Sequence, residues 1–330
     1  MDLSTEYLGF KLPHPFMPGA SPLADTLDGV RRLEDAGAAA IVMRSLFEEQ
    51  LLQEQLVTHR YTDFHRDTFP EASSLLPEPE LFHLGPDTYL EHLRRVRAAV
   101  KVPVIASLNG LTAAKWVEYA ALIEQAGASA LELNMYAMGA DPEQKAGELE
   151  QRMVELLLEI KRRVKLPVAV KLSPYFSSLS NLAKELEHAG AAGLVLFNRL
   201  FQPELDIEAL ELKRELHLSD SSELPLRLRW LGVLSAQVKC SLAASGGVHS
   251  VPDAVKALMT GADGVQVVSL LLRKGPKELE ALRTGLARWL EEHEYTSLEQ
   301  LRGSMNYESC PDPSAYLRAN YVMMLQSWEG

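Results

Sequence analysis

Lys171 closes the apolar run PVAVK (167–171), a spacing that carries a cation to the end of a buried strand. An ammonium in a dry setting is costly unless an anion answers it. Three chemistries supply one: a structural salt bridge, a lysine that loses its proton and attacks a carbonyl as a Schiff base, or a redox cofactor whose ring edge gains negative charge on reduction. A second stretch, SGGVHSVPDAVKAL (245–258) followed by GADGVQVVSLLL (261–272), offers an anion site. Gly246-Gly247 lets the backbone come close to a ligand, and Ser250 is placed to cap the helix that follows. The pair therefore reads as a phosphate cradle; the alternative reading is a plain turn and cap.

Other polar residues stand at equivalent places, each ending an apolar run or directly following it: Ala20-Ser21, Arg44-Ser45, Asn109, Asn134, Asn198-Arg199, Ser245 and Val268-Ser269. Amides also make ordinary turns, and the guanidiniums of Arg44 and Arg199 suit bidentate capture of a carboxylate.

Such a set converges only if the runs are parallel strands. The junctions DAGAAAIVM (35–43), QAGASALEL (125–133), HAGAAGLVL (188–196) and TGADGVQVV (260–268) each read as a helix stopped at Gly and turned into a buried strand. Between them VKVPVIASL (100–108), VKLPVAVKL (164–172) and VKCSLAASG (238–246) read as helix exits feeding short strands. With FMPGA (16–20) first, the strands fall at roughly 16–20, 39–43, 103–107, 130–134, 167–171, 193–197, 240–244 and 264–268. Between them the spacing predicts helices: one capped by Thr88 with Glu91 as its box partner, another opened by Asp141-Pro142-Glu143, with Leu149, Met153, Leu156 and Ile160 on one face. The reading is an α/β chain, a TIM-type (β/α)₈ barrel; no G-x-G-x-x-G follows the first strand, as a dinucleotide-binding open sheet would require. Long insertions at 46–86 and 198–236 are expected to wall the C-terminal face of the barrel, where sites of this architecture lie. Residues 1–330 read as a single domain with a C-terminal extension at about 303–330, whose apolar YLRANYVMMLQSW is expected to cover the barrel or build a homodimer contact.

The chain has 330 residues, 47% of them hydrophobic, and a formal net charge of −12 without a long basic run, which argues against nucleic acid and anionic membrane as partners. The opening residues lack a signal-peptide pattern and no apolar stretch matches a bilayer span, so the expected location is the cytoplasm. Cys240 and Cys310 form no disulfide framework, and His59, His65 and His83 lack metal-ligand spacing, so no metal is expected. Trp116, Ala120 and Ile123 recur at helical spacing and read as core.

The strings MPGAS (17–21), VMRS (42–45), LELN (131–134), VKLSPYF (170–176), FN (197–198), SGGV (245–248) and GADGVQVVS (261–269) resemble, in order, the class 1 dihydroorotate dehydrogenase family. The resemblance implies an FMN-dependent oxidoreductase acting on CH–CH groups, of the kind used in pyrimidine biosynthesis. It assigns FMN contacts to Ala20, Ser21, Ser45, Asn134, Lys171, Asn198, Gly246 and Gly247. It also marks two altered contacts: Arg44 stands for the family's Lys, and Val268-Ser269 for its Gly-Thr. Asn109 and Ser245 join the set by position. Where the family places its Cys or Ser base, this chain has Ala137 within Asn134-Met135-Tyr136-Ala137-Met138-Gly139, and Tyr136, a weak base at neutral pH, is the titratable group nearest to it. The family's Asn-containing substrate loop is replaced by FPEASSLLPEPELFHLGPD (69–87), and Arg199 stands where a small hydroxyl residue is usual.

The expectation is therefore a kept flavin half and a rebuilt substrate half: an FMN oxidoreductase acting on a small anionic substrate other than dihydroorotate, or only weakly on it. Arg44, Asn134, Asn198 and Arg199 are expected to bind the substrate, with Lys171 and Tyr136 as the catalytic candidates. The electron acceptor is unassigned. Two rivals stand beside it, a catalytically silent flavin-binding electron-transfer subunit and a cofactor-free aldolase or isomerase working through Lys171.

Overall fold

The computed structural model describes residues 1–47, 86–110, 112–135, 140–199, 204–213, 217–317, 321, 325 and 326. The insertion after the second barrel strand (48–85), with its three histidines, and the stretch holding Tyr136 and Ala137 lie outside the described residues.

Eight parallel strands form one sheet. In chain order they are β3 (Phe16–Pro18), β4 (Ile41–Phe47), β5 (Val104–Asn109), β6 (Ala130–Asn134), β7 (Val168–Leu172), β8 (Gly193–Leu196), β11 (Ser241–Ser245) and β12 (Gly264–Val267). The sheet runs from β3 through β12, β11, β8, β7, β6 and β5 to β4. Ala39 N, leading into β4, donates to Phe16 O at 3.0 Å, which brings the two ends together as a TIM barrel. Every strand expected from the sequence is present, with boundaries shifted by a few residues.

The α-helices among the described residues are α1 (Leu27–Asp35), α2 (Pro86–Ala99), α3 (Ala113–Gln125), α4 (Ala146–Arg163), α5 (Leu179–His188), α6 (Leu224–Leu234), α7 (Val251–Met259), α8 (Ser269–Lys274), α9 (Glu278–Glu292) and α10 (Leu298–Leu301). Trp116, Ala120 and Ile123 are buried on α3, as their spacing predicts. Two expected helix starts are displaced. Thr88 lies inside α2, which already begins at Pro86, where a missing N–H costs nothing. Asp141 does not start α4: its carboxylate accepts from Glu143 N in a local turn, and the helix begins at Ala146.

The inward faces of the strands change character along the barrel. Met17, Val42, Ile105, Ala130, Ala169, Val195 and Ala243 fill the lower layers with Tyr7, Leu8 and Leu12. These last three come from an N-terminal hairpin, β1 (Thr5–Tyr7) and β2 (Phe10–Leu12), which seals the barrel floor. Leu8 N donates to Ser241 Oγ and Thr5 Oγ1 to Asp263 O. Above these layers the inward residues turn polar: Ser45, Ser107, Glu132, Asn134, Lys171, Ser245 and Gln266 are all buried.

The insertion after β8 is partly what a barrel needs, since α6 is the ordinary helix between β8 and β11. The surplus is an exposed hairpin, β9 (Glu204–Asp206) and β10 (Glu211–Lys213), and a segment through Leu218 and Ser219 that reaches the C-terminal face. The C-terminal extension is held to the barrel by Gly303 N to Leu258 O, Met305 N to Met259 O and Tyr307 N to Gly232 O; much of its apolar end lies outside the described residues. Cys240 and Cys310 are free thiols. No helix among the described residues is long and apolar enough to cross a membrane.

Candidate functional site

A cavity of about 670 Å³ opens at the C-terminal ends of the strands. It is lined by Ala20, Ser21, Arg44, Ser45, Asn134, Lys171, Asn198, Arg199, Ser245, Gly246, Gly247, Val268 and Ser269, residues the sequence singles out from seven separate loops and strand ends. Parallel strands in a closed barrel bring such ends together. Asn109 is the exception: it lines a smaller cavity of about 360 Å³ beside α3 and α4, which shares Asn134 with the main one.

At one side the chain turns sharply after β11. Gly246 and Gly247 have φ of +85° and +83°, a region L side chains rarely enter. A Cβ on Gly247 would lie 2.6 Å from Leu224 N. The loop is braced from behind by Arg227, buried on α6, whose Nε donates to Ser245 O at 3.1 Å. Ser250 caps α7, accepting from Asp253 N. Gly246 and Gly247 thus make the turn, and both also line the cavity. Beside this turn, Ser269 Oγ accepts from Ser219 N at 3.0 Å and from Ser219 Oγ at 2.9 Å, and Ser219 Oγ lies 3.2 Å from His249 Nε2. Burial first, then the positive charge of Arg273, holds His249 below the usual histidine range. Ser219 lies in the insertion without a motif around it, so sequence reasoning misses it.

Near β4 to β6 three side chains interlock. Asn134 Nδ2 donates to Ser45 Oγ at 2.7 Å and to Ser107 Oγ at 3.0 Å, and the two hydroxyls are 2.8 Å apart. Tyr89, from α2, donates its hydroxyl to Ser107 O and accepts from Ser107 N. Ser107 is an inward residue of VIASLN that alternation could have found. Ser21 differs: its Oγ is buried and has no hydrogen-bond partner among the described residues.

Of the three sources of an anion that its position allows, Lys171 has the salt bridge within the chain. Its Nζ lies 3.5 Å from Glu132 Oε1 and 3.3 Å from Gln266 Oε1. Glu132 is wholly buried, one inward position below Asn134 on β6. The charge within ALELN is the signal that could have revealed it, since a strand alternation that buries Ala130 and Asn134 inward buries Glu132 inward too.

The two arginines are also engaged. Arg44 Nη1 lies 2.7 Å from Asp25 Oδ2; Arg199 Nη2 lies 3.1 Å from Glu223 Oε1, and Glu223 in turn contacts Arg227. A substrate carboxylate would meet guanidiniums that already hold one.

A sequence model of the family described as dihydroorotate dehydrogenase matches residues 66–290. Among curated relatives, the dihydroorotate dehydrogenase B (NAD(+)) catalytic subunit of Thermoplasma volcanium is 26% identical, covering 92% of this chain and 98% of its own. A putative dihydroorotate dehydrogenase A (fumarate) of Aeropyrum pernix is 27% identical over 92% and 97%. The NAD-dependent dihydropyrimidine dehydrogenase subunit PreA of Escherichia coli is 22% identical over 94% and 78%.

Proposed function

The chain belongs to the dihydroorotate dehydrogenase family, and from that membership we propose that it is an FMN oxidoreductase taking hydride from a CH–CH bond of a small anionic substrate other than dihydroorotate. The class, a flavin-dependent oxidoreductase acting on CH–CH groups, follows from the family. The observation that carries the cofactor is that one cavity of about 670 Å³ is walled by a buried hydroxyl without a partner among the described residues, two left-handed glycines and a buried ammonium. Its volume lies in the range of small-molecule sites. The residues fit the group: Gly246, Gly247 and Ser269 would hold the phosphate, Ser21, Ser45, Asn134 and Asn198 the polar edges of the ring and chain, and Lys171 the ring edge that gains charge on reduction.

When bound, FMN supplies the hydride acceptor. The protein's part is placement and charge. Lys171 puts a cation at the cavity wall, where low dielectric magnifies its effect. Phe197, Leu218, Val248 and Leu272 form apolar wall that excludes water. Oxidising a CH–CH bond also releases a proton, which needs an acceptor on the chain. Ala137 stands at the family's base position and cannot serve, so a substrate that loses its proton to Tyr136 or to water suits this chain better than dihydroorotate.

Pairing of Arg44 with Asp25 and of Arg199 with Glu223 favours a second reading, an uncharged ring substrate of the dihydropyrimidine type that the E. coli relative's name describes. The proposed electron acceptor is a partner protein, since the Thermoplasma and E. coli relatives are named as subunits.

The test is the visible spectrum of the purified full-length protein, followed by acid release and chromatography. Yellow protein yielding FMN supports the proposal. Colourless protein that takes up no added FMN ends it, and borohydride trapping of a carbonyl substrate on Lys171 then decides for the Schiff-base alternative.

A further inference from the structure

Beneath the cavity lies a closed polar ring that the proposed chemistry has not used. Lys171 Nζ donates to Glu132 Oε1 and to Gln266 Oε1, while Gln266 Nε2 donates to Glu132 Oε2. Three strands contribute, β6, β7 and β12, the last from across the barrel. The ring fixes the amide of Gln266, its oxygen toward the cation and its nitrogen toward the anion. Lys171 and Gln266 reach the cavity wall; Glu132 does not, and its side chain has 0% exposure. The Tyr7 hydroxyl, from the floor hairpin, is buried beneath the ring, close to Gln266 and Glu132. Burial and then the negative charge of Glu132 push that phenol well above its ordinary range, so it stays protonated below the ring.

Stability alone does not explain such a pair. Burying two ions is commonly no better than packing apolar residues in their place, and the neighbouring inward residues Ala169 and Val195 are apolar. What the pair does is set the charge that the cavity presents.

We infer that Glu132 and Gln266 are positioning residues for Lys171: they anchor its ammonium at the cavity floor and offset its charge, so that the pair, rather than the lysine alone, sets how strongly the site favours a reduced, anionic flavin. This rests on the FMN reading above. Removing the negative charge while keeping the shape leaves the lysine uncompensated toward the ligand and favours the reduced form. Removing the lysine instead leaves a buried carboxylate without a cation, which takes up a proton. In that background the charge of Glu132 is already gone, and the glutamine exchange has nothing further to remove.

The experiment is a redox titration of the FMN-loaded full-length protein in four forms: parent, Glu132→Gln, Lys171→Ala and the double variant. Glu132→Gln is expected to shift the reduced-to-oxidised equilibrium about tenfold toward reduced flavin, about 30 mV for a two-electron couple. The same exchange in the Lys171→Ala background is expected to shift it less than about twofold. Glu132→Asp, which keeps the charge, is expected to stay close to the parent. An unchanged potential in Glu132→Gln, or an equal shift in both backgrounds, overturns the inference. Protein that takes up no FMN overturns the functional reading and the inference with it. A measurement without flavin guards against Glu132→Gln failing to fold: the apoprotein of Lys171→Ala is expected to gain the infrared carbonyl band of a protonated carboxylic acid, absent from the parent. If that band does not appear, the ion pair does not hold the charge of Glu132, and the inference fails whatever the flavin does.

Discussion

Asn134 and Ser45, 89 positions apart in the chain, are joined by a hydrogen bond of 2.7 Å at the mouth of the barrel. The amide also bonds Ser107, so a single side chain ties the ends of three strands at the wall of the cavity. Asn134→Ala is expected to weaken FMN binding about tenfold, since a lost hydrogen bond to a bound group is worth about 1 kcal/mol or slightly more. Fluorescence titration of the apoprotein measures it. Unchanged affinity would mean that Asn134 serves only the strands.

Removing Lys171 breaks a buried pair. Lys171→Ala is expected to cost about 3 kcal/mol of stability, because Glu132 is left without its cation in a dry setting. Glu132→Gln in the same chain is expected to return part of it. Urea denaturation of the two variants reads the effect; equal loss in both would show that lysine packing, not charge, is responsible.

Arg44 and Arg199 separate the two substrate readings. Their ion pairs are partly exposed, with side-chain exposures of 37% and 31% for Arg44 and Asp25 and 28% each for Arg199 and Glu223, so stability should change by no more than about 1 kcal/mol on either Arg→Ala exchange. For an anionic substrate, KM is expected to rise at least tenfold with kcat little altered. For an uncharged substrate, both constants stay near those of the parent.

Dihydroorotate itself should reduce the flavin slowly. On the proposal that Ala137 takes the place of the family's base, the rate is expected to fall about 10²–10⁴ below that of an enzyme with the base. Anaerobic stopped-flow absorbance follows it directly. Rapid bleaching by dihydroorotate would reveal a proton acceptor elsewhere, with Tyr136 the first to examine.

His14 gives the fold a dependence on acid. Burial lowers its pKa to about 4, and its Nδ1 accepts from Phe16 N at 3.3 Å. Because the folded value lies below the unfolded value near 6.5, the unfolded chain binds the proton first. Stability from this site is full above about pH 6.5 and falls by about 3 kcal/mol as pH drops toward 4. Denaturation curves across that range should show the slope, and His14→Gln should flatten it.

The cavity wall was legible because parallel strands repeat their period, so the residue ending each strand is placed by counting. Asn109 escaped: it lines the smaller cavity beside α3, and strand spacing does not encode which of two neighbouring cavities a strand end will line. Helix starts were less legible: Asp141 makes a turn as readily as a cap, and only packing decides where α4 begins. Glu132 shows a different limit. A lysine at a strand end signals that a counter-charge exists, but which of the inward residues on seven other strands provides it depends on register around the barrel. Ser219 depends on how an insertion folds back, which no period describes.

The hairpin that seals the barrel floor also bears on the order in which the chain can fold. Leu8 N bonds Ser241 and Thr5 Oγ1 bonds Asp263 O across separations of 233 and 258 residues. During synthesis the hairpin is made long before Ser241 and Asp263, so Tyr7, Leu8 and Leu12 lack part of their packing, that against Val195 and Ala243, until the later strands emerge. Such distant contacts make folding slow and leave these side chains open to association with other chains meanwhile. The hairpin is thus made before these partners and secured only after them, and substitutions in it would disturb the completion of the barrel rather than its beginning.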